Sequence, residues 1–515
     1  MTQSLNSDLE TLEGSQAKQK IQLEPGSYSI IKAWINYGKG AEYTLTDKIL
    51  KIYLSESMES FGITGWLEMI DTANLIRNGP IVGQELLYMQ FETAGATDAG
   101  LKNFGVNFTK QPLAIHKVDS IDELKTASSG RAPQALTYRL HFCSPELLRN
   151  DRISICQTMQ GSYSDIIKQI LKDHLKTTKT VRLQETTDLK QVIIPEMHPF
   201  KAINWLTRNS ELQHSSGSKV NPFKGKAADF YFYETSRGYK FLPAMHEPKY
   251  EIILALGNSP ATQRYVNQMT TSITYEHNAS ADTLQSIPSG IWGSQQIAYD
   301  QFNKSVKRYQ CSYHRALKKE QNSFVNKTPI FNPTNKDAED KMISDFPASL
   351  QMLYGFSGKR ISNVNKSTKE VNYPWSVTPP DLSMRRVMQT FHACFYNTIK
   401  ARFYGISALE VGMVVKLEMP DIGTGSGQYD KDPIFANRLN NSWIIKQLTH
   451  VIDNTKGEDN GYYCDVELAN TLRDTNAKGI LPSYSGMGST QFKTPTKSVV
   501  IDAEADEEDV STLLG

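Results

Sequence analysis

Apolar and polar residues alternate through "NGPIVGQELLYMQFE" (Asn78–Glu92), where Leu87, Met89 and Phe91 share one side. The same alternation runs through "ALEVGMVVKLEMP" (Ala408–Pro420), with Met413, Val415, Leu417 and Met419 on one side and Lys416 and Glu418 on the other. A period of two predicts a strand with one buried face. In both stretches a Val-Gly pair precedes the strand, a place for a tight turn in which glycine takes a positive φ at little cost. Glycine turns leading into strands are common, so local patterning alone does not relate the two.

The same period organises residues 26–150 as an antiparallel β domain. It runs from "SYSIIKAWINYG" and "DKILKIYLSESM" to "LTYRLHFCSPELL", where Leu136, Tyr138, Leu140 and Phe142 alternate. Before it, residues 1–25 are polar and read as a flexible arm. Over 151–255 the period changes and predicts an α+β domain. Ser162 and Asp165 form a capping-box start, and Ile166, Ile167, Ile170, Leu171 and Leu175 make a helical apolar face. Pro199 opens a second helix carrying Phe200, Ile203 and Leu206, and "ADFYFYETSRGYKFLP" (Ala227–Pro243) reads as a hairpin turning at Thr-Ser-Arg-Gly.

Residues 256–380 carry no clear period and read as an irregular, insertion-like region with long surface loops. Met384, Val387, Met388 and Phe391 then share a helical face, after which Phe395, Asn397, Ile399, Ala401 and Phe403 alternate with polar neighbours. "SWIIKQLTHVID" and "NGYYCDVELANTL" complete a second β domain over 381–475, with Tyr462, Cys464, Val466 and Leu468 on one face. Residues 476–515, ending "DAEADEEDVSTLLG", form an acidic tail expected to be mobile or ordered by a partner. The fold class expected is mainly β, with two antiparallel β domains flanking an α+β domain.

With 515 residues the chain has room for three or four domains of about 100–200 residues each, with cores that need no disulfides. Its net charge of +1 gives no bulk electrostatic case for nucleic acid or an anionic membrane as a partner. Cys143, Cys156, Cys311, Cys394 and Cys464 are odd in number and scattered, which suits a reducing cytoplasm. The polar first twenty residues lack the apolar stretch of a secretory signal, and no apolar run reaches the ~18 residues that would predict a membrane span.

Chemistry is not advertised. No P-loop or Rossmann glycine spacing occurs, and "DIGTGSGQYDKD" (Asp421–Asp432) reads as a flexible loop rather than a phosphate cradle. The i, i+2 pairs His141/Cys143 and His392/Cys394 would each point to one face of a strand, and together they contain enough ligands for zinc. That spacing departs from ordinary structural zinc motifs, and each residue is as well explained by packing in a core. Glu196/His198 and His246/Glu247 belong to no longer catalytic pattern. No catalytic, cofactor-binding or metal residue is therefore assigned, no cofactor is expected, and the chain is not read as an enzyme.

Several stretches taken in order resemble the central baseplate hub protein of contractile-tailed, T-even-like bacteriophages, a family related to the base of contractile secretion spikes. They are "GITGWLEMIDTANLIRNGPIVGQELLYMQFE", "YRLHFCSPELLRNDRISICQTMQGSYSDIIKQIL", "IIPEMHPFKAINWLTRNS", "DFYFYETSRGYKFLP" and "GISALEVGMVVKLEMP". The resemblance implies a structural virion protein of the tail baseplate, assembled in the host cytoplasm. It implies a homotrimer in which each chain gives two tube-like antiparallel β-barrel domains, so that six surround a DNA channel. The expected partners are then further copies of the chain, the tail tube or its initiator, the central spike, other baseplate proteins, and phage DNA passing through without sequence recognition; membrane insertion is not expected. On this resemblance the two Val-Gly strands are equivalent positions of a duplicated domain. The alternatives are a tail-associated enzyme degrading the cell wall and the base of a type VI-like secretion spike.

Overall fold

The computed structural model describes residues 25–36, 42–78, 81–94, 105–124, 135–186, 190–211, 228–244, 252–256, 270–278, 284, 287–300, 304–312, 349–354, 363–364, 371–372, 382–394, 398–418, 442–456, 461–470 and 496–499. The amino-terminal strands are β1 (Tyr28–Asn36), β2 (Glu42–Thr44), β3 (Ile49–Ser57), β4 (Thr64–Asp71), β5 (Leu86–Thr93), β6 (Val106–Asn107), β7 (Leu113–Leu124) and β8 (Ala135–Cys143), with the single turn α1 (Leu75–Asn78) before β5. The middle of the chain holds α2 (Pro145–Arg152), β9 (Ile155–Gly161), α3 (Tyr163–Gln169), β10 (Val181–Gln184), β11 (Lys190–Met197), α4 (Pro199–Arg208), β12 (Phe230–Thr235) and β13 (Gly238–Pro243). There follow β14 (Ile252–Ala255), β15 (Ser272–Asn278), β16 (Gly293–Asp300), β17 (Ser305–Ser312), β18 (Ser349–Tyr354), β19 (Asn363–Val364), β20 (Val371–Asn372) and α5 (Leu382–Cys394). The last elements are β21 (Thr398–Tyr404), β22 (Val414–Glu418), β23 (Ser442–Asp453), β24 (Tyr462–Asn470) and β25 (Thr496–Val499).

The fold is mainly β. One large sheet runs β15-β21-β24-β23-β3-β4-β8-β7-β5-β1-β2, joining strands from both ends of the chain. The alternation read from the sequence is the alternation of burial. Leu87, Met89 and Phe91 on β5, Leu140 and Phe142 on β8, and Ile399 and Phe403 on β21 are fully buried. Each such side chain is worth roughly 1.5–3 kcal/mol when taken out of water, and this burial holds the sheet to what covers it.

The middle elements follow their local signals. Ser162 caps α3, its Oγ accepting from the Asp165 N–H at 3.1 Å while the Asp165 carboxylate accepts from the Ser162 N–H. A π-helical turn, Ile170–His174, extends α3, and the whole predicted face of Ile166, Ile167, Ile170, Leu171 and Leu175 is buried. Pro199 opens α4, and Phe200, Ile203 and Leu206 lie inward. β12 and β13 pair from Phe230/Pro243 to Thr235/Gly238, the hairpin read from the sequence.

Two expectations are corrected. The region 256–380 was expected to be irregular, yet β15 lies in the large sheet and β16, β17 and β18 form a sheet of their own. His392 and Cys394 fall within helix α5 rather than on a strand, so the strand spacing that paired them does not apply. Of the acidic tail, expected to be mobile or ordered by a partner, the described residues are Thr496–Val499, which pair antiparallel with β10.

Candidate functional site: a repeated strand order and its junction

Two runs of five strands share one arrangement. In the first, β3-β4-β8-β7-β5 is the order across the sheet; in the second it is β15-β21-β24-β23-β22. Lettered a to e along the chain, both read a-b-e-d-c, and every neighbouring pair is antiparallel.

The registers share two irregularities, although β7–β8 carries a further shift between Asp119 and Asp122 that β23–β24 lacks. A β-bulge interrupts the a–b pair between Ile49 and Lys51 in the first run and between Ser272 and Thr274 in the second. Another interrupts the d–e pair between Ile115 and Lys117 and between Ile445 and Gln447. A bulge forces a fixed local bend, so the same bulge at the same place gives two sheets the same curvature. The two Val-Gly turns lead into the equivalent strands β5 and β22, with Gly83 at φ 85° and Gly412 at φ 80°. After each turn the same ladder bond follows, Ile115 N–H to the Glu85 carbonyl and Ile445 N–H to the Met413 carbonyl, both 2.8 Å.

The runs meet head to tail inside the chain. β23 is twelve residues long. Its first residues, Ser442–Ile444, pair with β22, and Gln447–Asp453 pair with β3 of the other run. Further contacts tie the runs together: the Thr93 N–H donates to Ser407 Oγ at 3.1 Å, and Phe91 packs edge-on to His450 and Tyr462.

The β12–β13 hairpin wedges into this junction with buried charge. Lys179 Nζ bridges Glu146 and Glu234, 2.6 Å from each, and the Glu234 carboxylate also accepts from the Ile63 N–H at 3.2 Å. Burial alone would lower the Lys179 pKa, but the two carboxylates outweigh it and raise it. On β13, the other strand of the hairpin, Lys240 Nζ lies 2.8 Å from Glu410; burial would raise that carboxyl's pKa, but Lys240 and Arg237 outweigh it and lower it. Glu56 on β3 completes the group, accepting from the Ser236 N–H at 2.6 Å and the Val411 N–H at 3.4 Å. Burial, reinforced by Glu410, pushes its pKa up to about 7. One carboxylate thus links the first run, the hairpin and the loop before β22.

None of these six acids and lysines was singled out from the sequence, although a signal existed. Glu56 continues the buried phase of Ile52 and Leu54, and Glu234 continues that of Phe230 and Phe232. A charge at an inward position is a buried group that needs a partner.

The residues considered for chemistry do not converge. His141 on β8 contacts Asp119 at 3.0 Å, and Cys143 is buried, its thiol pushed up to about 11 by desolvation. His198 stands at the N-cap position of α4 without a side-chain cap bond, its Nδ1 lying 2.8 Å from the Ile153 carbonyl, and Glu196 is exposed on β11. His246, Glu247 and Asp421–Asp432 lie outside the described residues. Among the described residues no group of three or more His, Cys, Asp and Glu side chains is arranged to hold a metal, and no helix is long and apolar enough to cross a membrane.

No protein-family model and no curated protein sequence matches the chain. Among solved structures it is similar to the 43 kDa tail protein of prophage MuSo2 from Shewanella oneidensis, at 9% identity and a TM-score of 0.45, over 86% of this chain and 99% of that one. It is similar to the tail protein from Neisseria meningitidis MC58, at 8% identity and a TM-score of 0.44, over 86% and 96%. It is also similar to the E. coli c3393 protein, described as a component of the type VI secretion system, at 11% identity and a TM-score of 0.37, over 82% and 73%.

Proposed function

We propose that the chain is the structural hub of a contractile-tail baseplate, a trimer whose three copies set six tube-like β domains around an open channel. The first domain spans residues 26–150; the second is the 381–475 region together with β15. One observation carries the reading: the a-b-e-d-c strand order occurs twice, and the two occurrences already pair head to tail through β23 and β3. A head-to-tail contact between like units either closes into a ring or continues as a filament. Three chains with two units each supply six nearly equivalent positions with threefold symmetry. Such a ring fits a sixfold tube on one face, while the middle elements, present three times, fit a threefold spike on the other. DNA passes through the centre without sequence recognition, consistent with a net charge of +1. The role is assembly, and no reaction is assigned.

Electron microscopy of the purified protein tests this reading. End-on class averages should show six lobes around an open centre with threefold symmetry; compact particles without a central opening would overturn it.

A further inference from the structure

Within one chain the β23–β3 contact joins strand d of one run to strand a of the other. The remaining d and a strands are β7 and β15, seven strands apart in the sheet. β7 pairs with β5 only through Leu113 and Ala114, just as β23 pairs with β22 only through its first residues. Beyond Ala114 no strand is seen on that side of β7 among the described residues, and β15 ends the order of the sheet.

Resting on the ring reading above, we infer that β7 of one copy pairs with β15 of the next, antiparallel, in the register that β23 and β3 adopt within the chain. Burial supports this independently. On β3, Ile52 is fully buried; its counterpart by register on β15, Tyr275, is 39% exposed. On β23, Leu448 and His450 are fully buried; the matching part of β7 leaves Val118 half-buried and Ile121 52% exposed. The same inward positions are covered where a second run is docked and open where none is. The occupant that fits is therefore a second copy of this chain, because the covering strand is already present in it.

The register can be stated residue by residue. Thr449 faces Ser55 in the chain. Through their partners on β24 and β8, Thr449 corresponds to Asp119; through β4 and β21, Ser55 corresponds to Asn278. Asp119 of one copy thus stands opposite Asn278 of the next, ahead of the register shift between Asp119 and Asp122 that β23 does not share.

Facing residues of antiparallel strands have Cα atoms about 4.5–5.5 Å apart, within the range a disulfide spans. The test is the full chain carrying D119C and N278C, oxidised and run without reductant, beside each single variant and the unsubstituted protein as controls for the native thiols, with the native mass measured in parallel. The double variant should give covalent trimers, a mixture of the two single variants covalent dimers, and the controls neither. A native trimer that yields no covalent product from this pair would overturn the strand pairing and leave the ring reading standing. A monomer under all conditions would overturn both, and covalent chains longer than three would keep the pairing and overturn closure.

Discussion

Arg402 holds Asp465 across β21 and β24 in a two-pronged ion pair, Nε and Nη2 lying 2.6 and 2.8 Å from the two carboxylate oxygens. The same rung of the other run, across β4 and β8, carries Glu68 and Arg139, paired at 3.0 Å with the charges exchanged. Each arginine also lies over an aromatic ring, Arg139 over Trp66 and Arg402 over Tyr463. The rung thus carries an ion pair in both runs, with the cation on opposite strands.

Exchanging the second pair tests whether either orientation serves. Because the side chains are partly exposed, Arg402→Asp or Asp465→Arg alone should cost up to about 1 kcal/mol, and the double exchange should recover most of it. Denaturant titrations of the four proteins measure the coupling. A double variant as unstable as the two single losses added together would show that the rung is not interchangeable.

Most of the strands with one closed face were legible because burial imposed a period of two. β15 was not: Ile273 and Tyr275 alternate with Thr274 and Glu276, but two apolar positions are too short a run to tell a strand from a helix, and all four residues are exposed within the single chain. The Val-Gly turns were legible as turns, but their equivalence lies in the pairing of β5 and β22 with distant strands, which local pattern does not carry. His392 and Cys394 were misplaced because the apolar face of α5 runs directly into the period-two stretch before β21. Glu56 and Glu234 were missed because a Glu in an alternating strand looks like an outward residue until its phase is counted.

Glu56 makes stability depend on pH in a direction unusual for a carboxylate. Its pKa is about 7 in the folded chain against 4.5 as the ordinary value. The native state therefore holds a proton that the unfolded chain releases between those values, and stability falls as pH rises through that window. The full penalty, on the order of 3 kcal/mol, applies above pH 7. Glu56→Gln keeps an acceptor for the Ser236 N–H and should be more stable than the unsubstituted protein at pH 8, with the advantage fading toward pH 4.5. Equal stability at pH 8 would contradict the assignment.

His450 acts at the other end of the pH scale. It is fully buried, with Nδ1 2.8 Å from the Tyr462 hydroxyl and 3.4 Å from Cys464 Sγ, and desolvation lowers its pKa to about 3. The unfolded chain takes up a proton near pH 6.5 that the folded chain refuses, so this group's contribution to stability is lost as pH falls from 6.5 toward 3. NMR titration of the folded protein should show a neutral imidazole down to pH 4. A midpoint near 6.5 would mean that the side chain is open to water.

Gly412 is required twice over. Its φ of 80° disfavours any side chain, and a Cβ there would overlap the Tyr233 hydroxyl on the β12–β13 hairpin. Gly412→Ala should cost roughly 2 kcal/mol or more, from backbone strain together with displacement of the hairpin. Adding Tyr233→Phe should return the part due to overlap, as read from thermal unfolding. No cost in the single variant would show that the turn tolerates another conformation.

The mass of the protein in solution bears on the proposal as a whole. The chain is 58.0 kDa, so a closed ring of three copies has a mass of about 174 kDa. Native mass spectrometry should find that species, with no larger series. A protein that stays at 58.0 kDa, alone and when co-expressed with its spike, would contradict the trimeric hub.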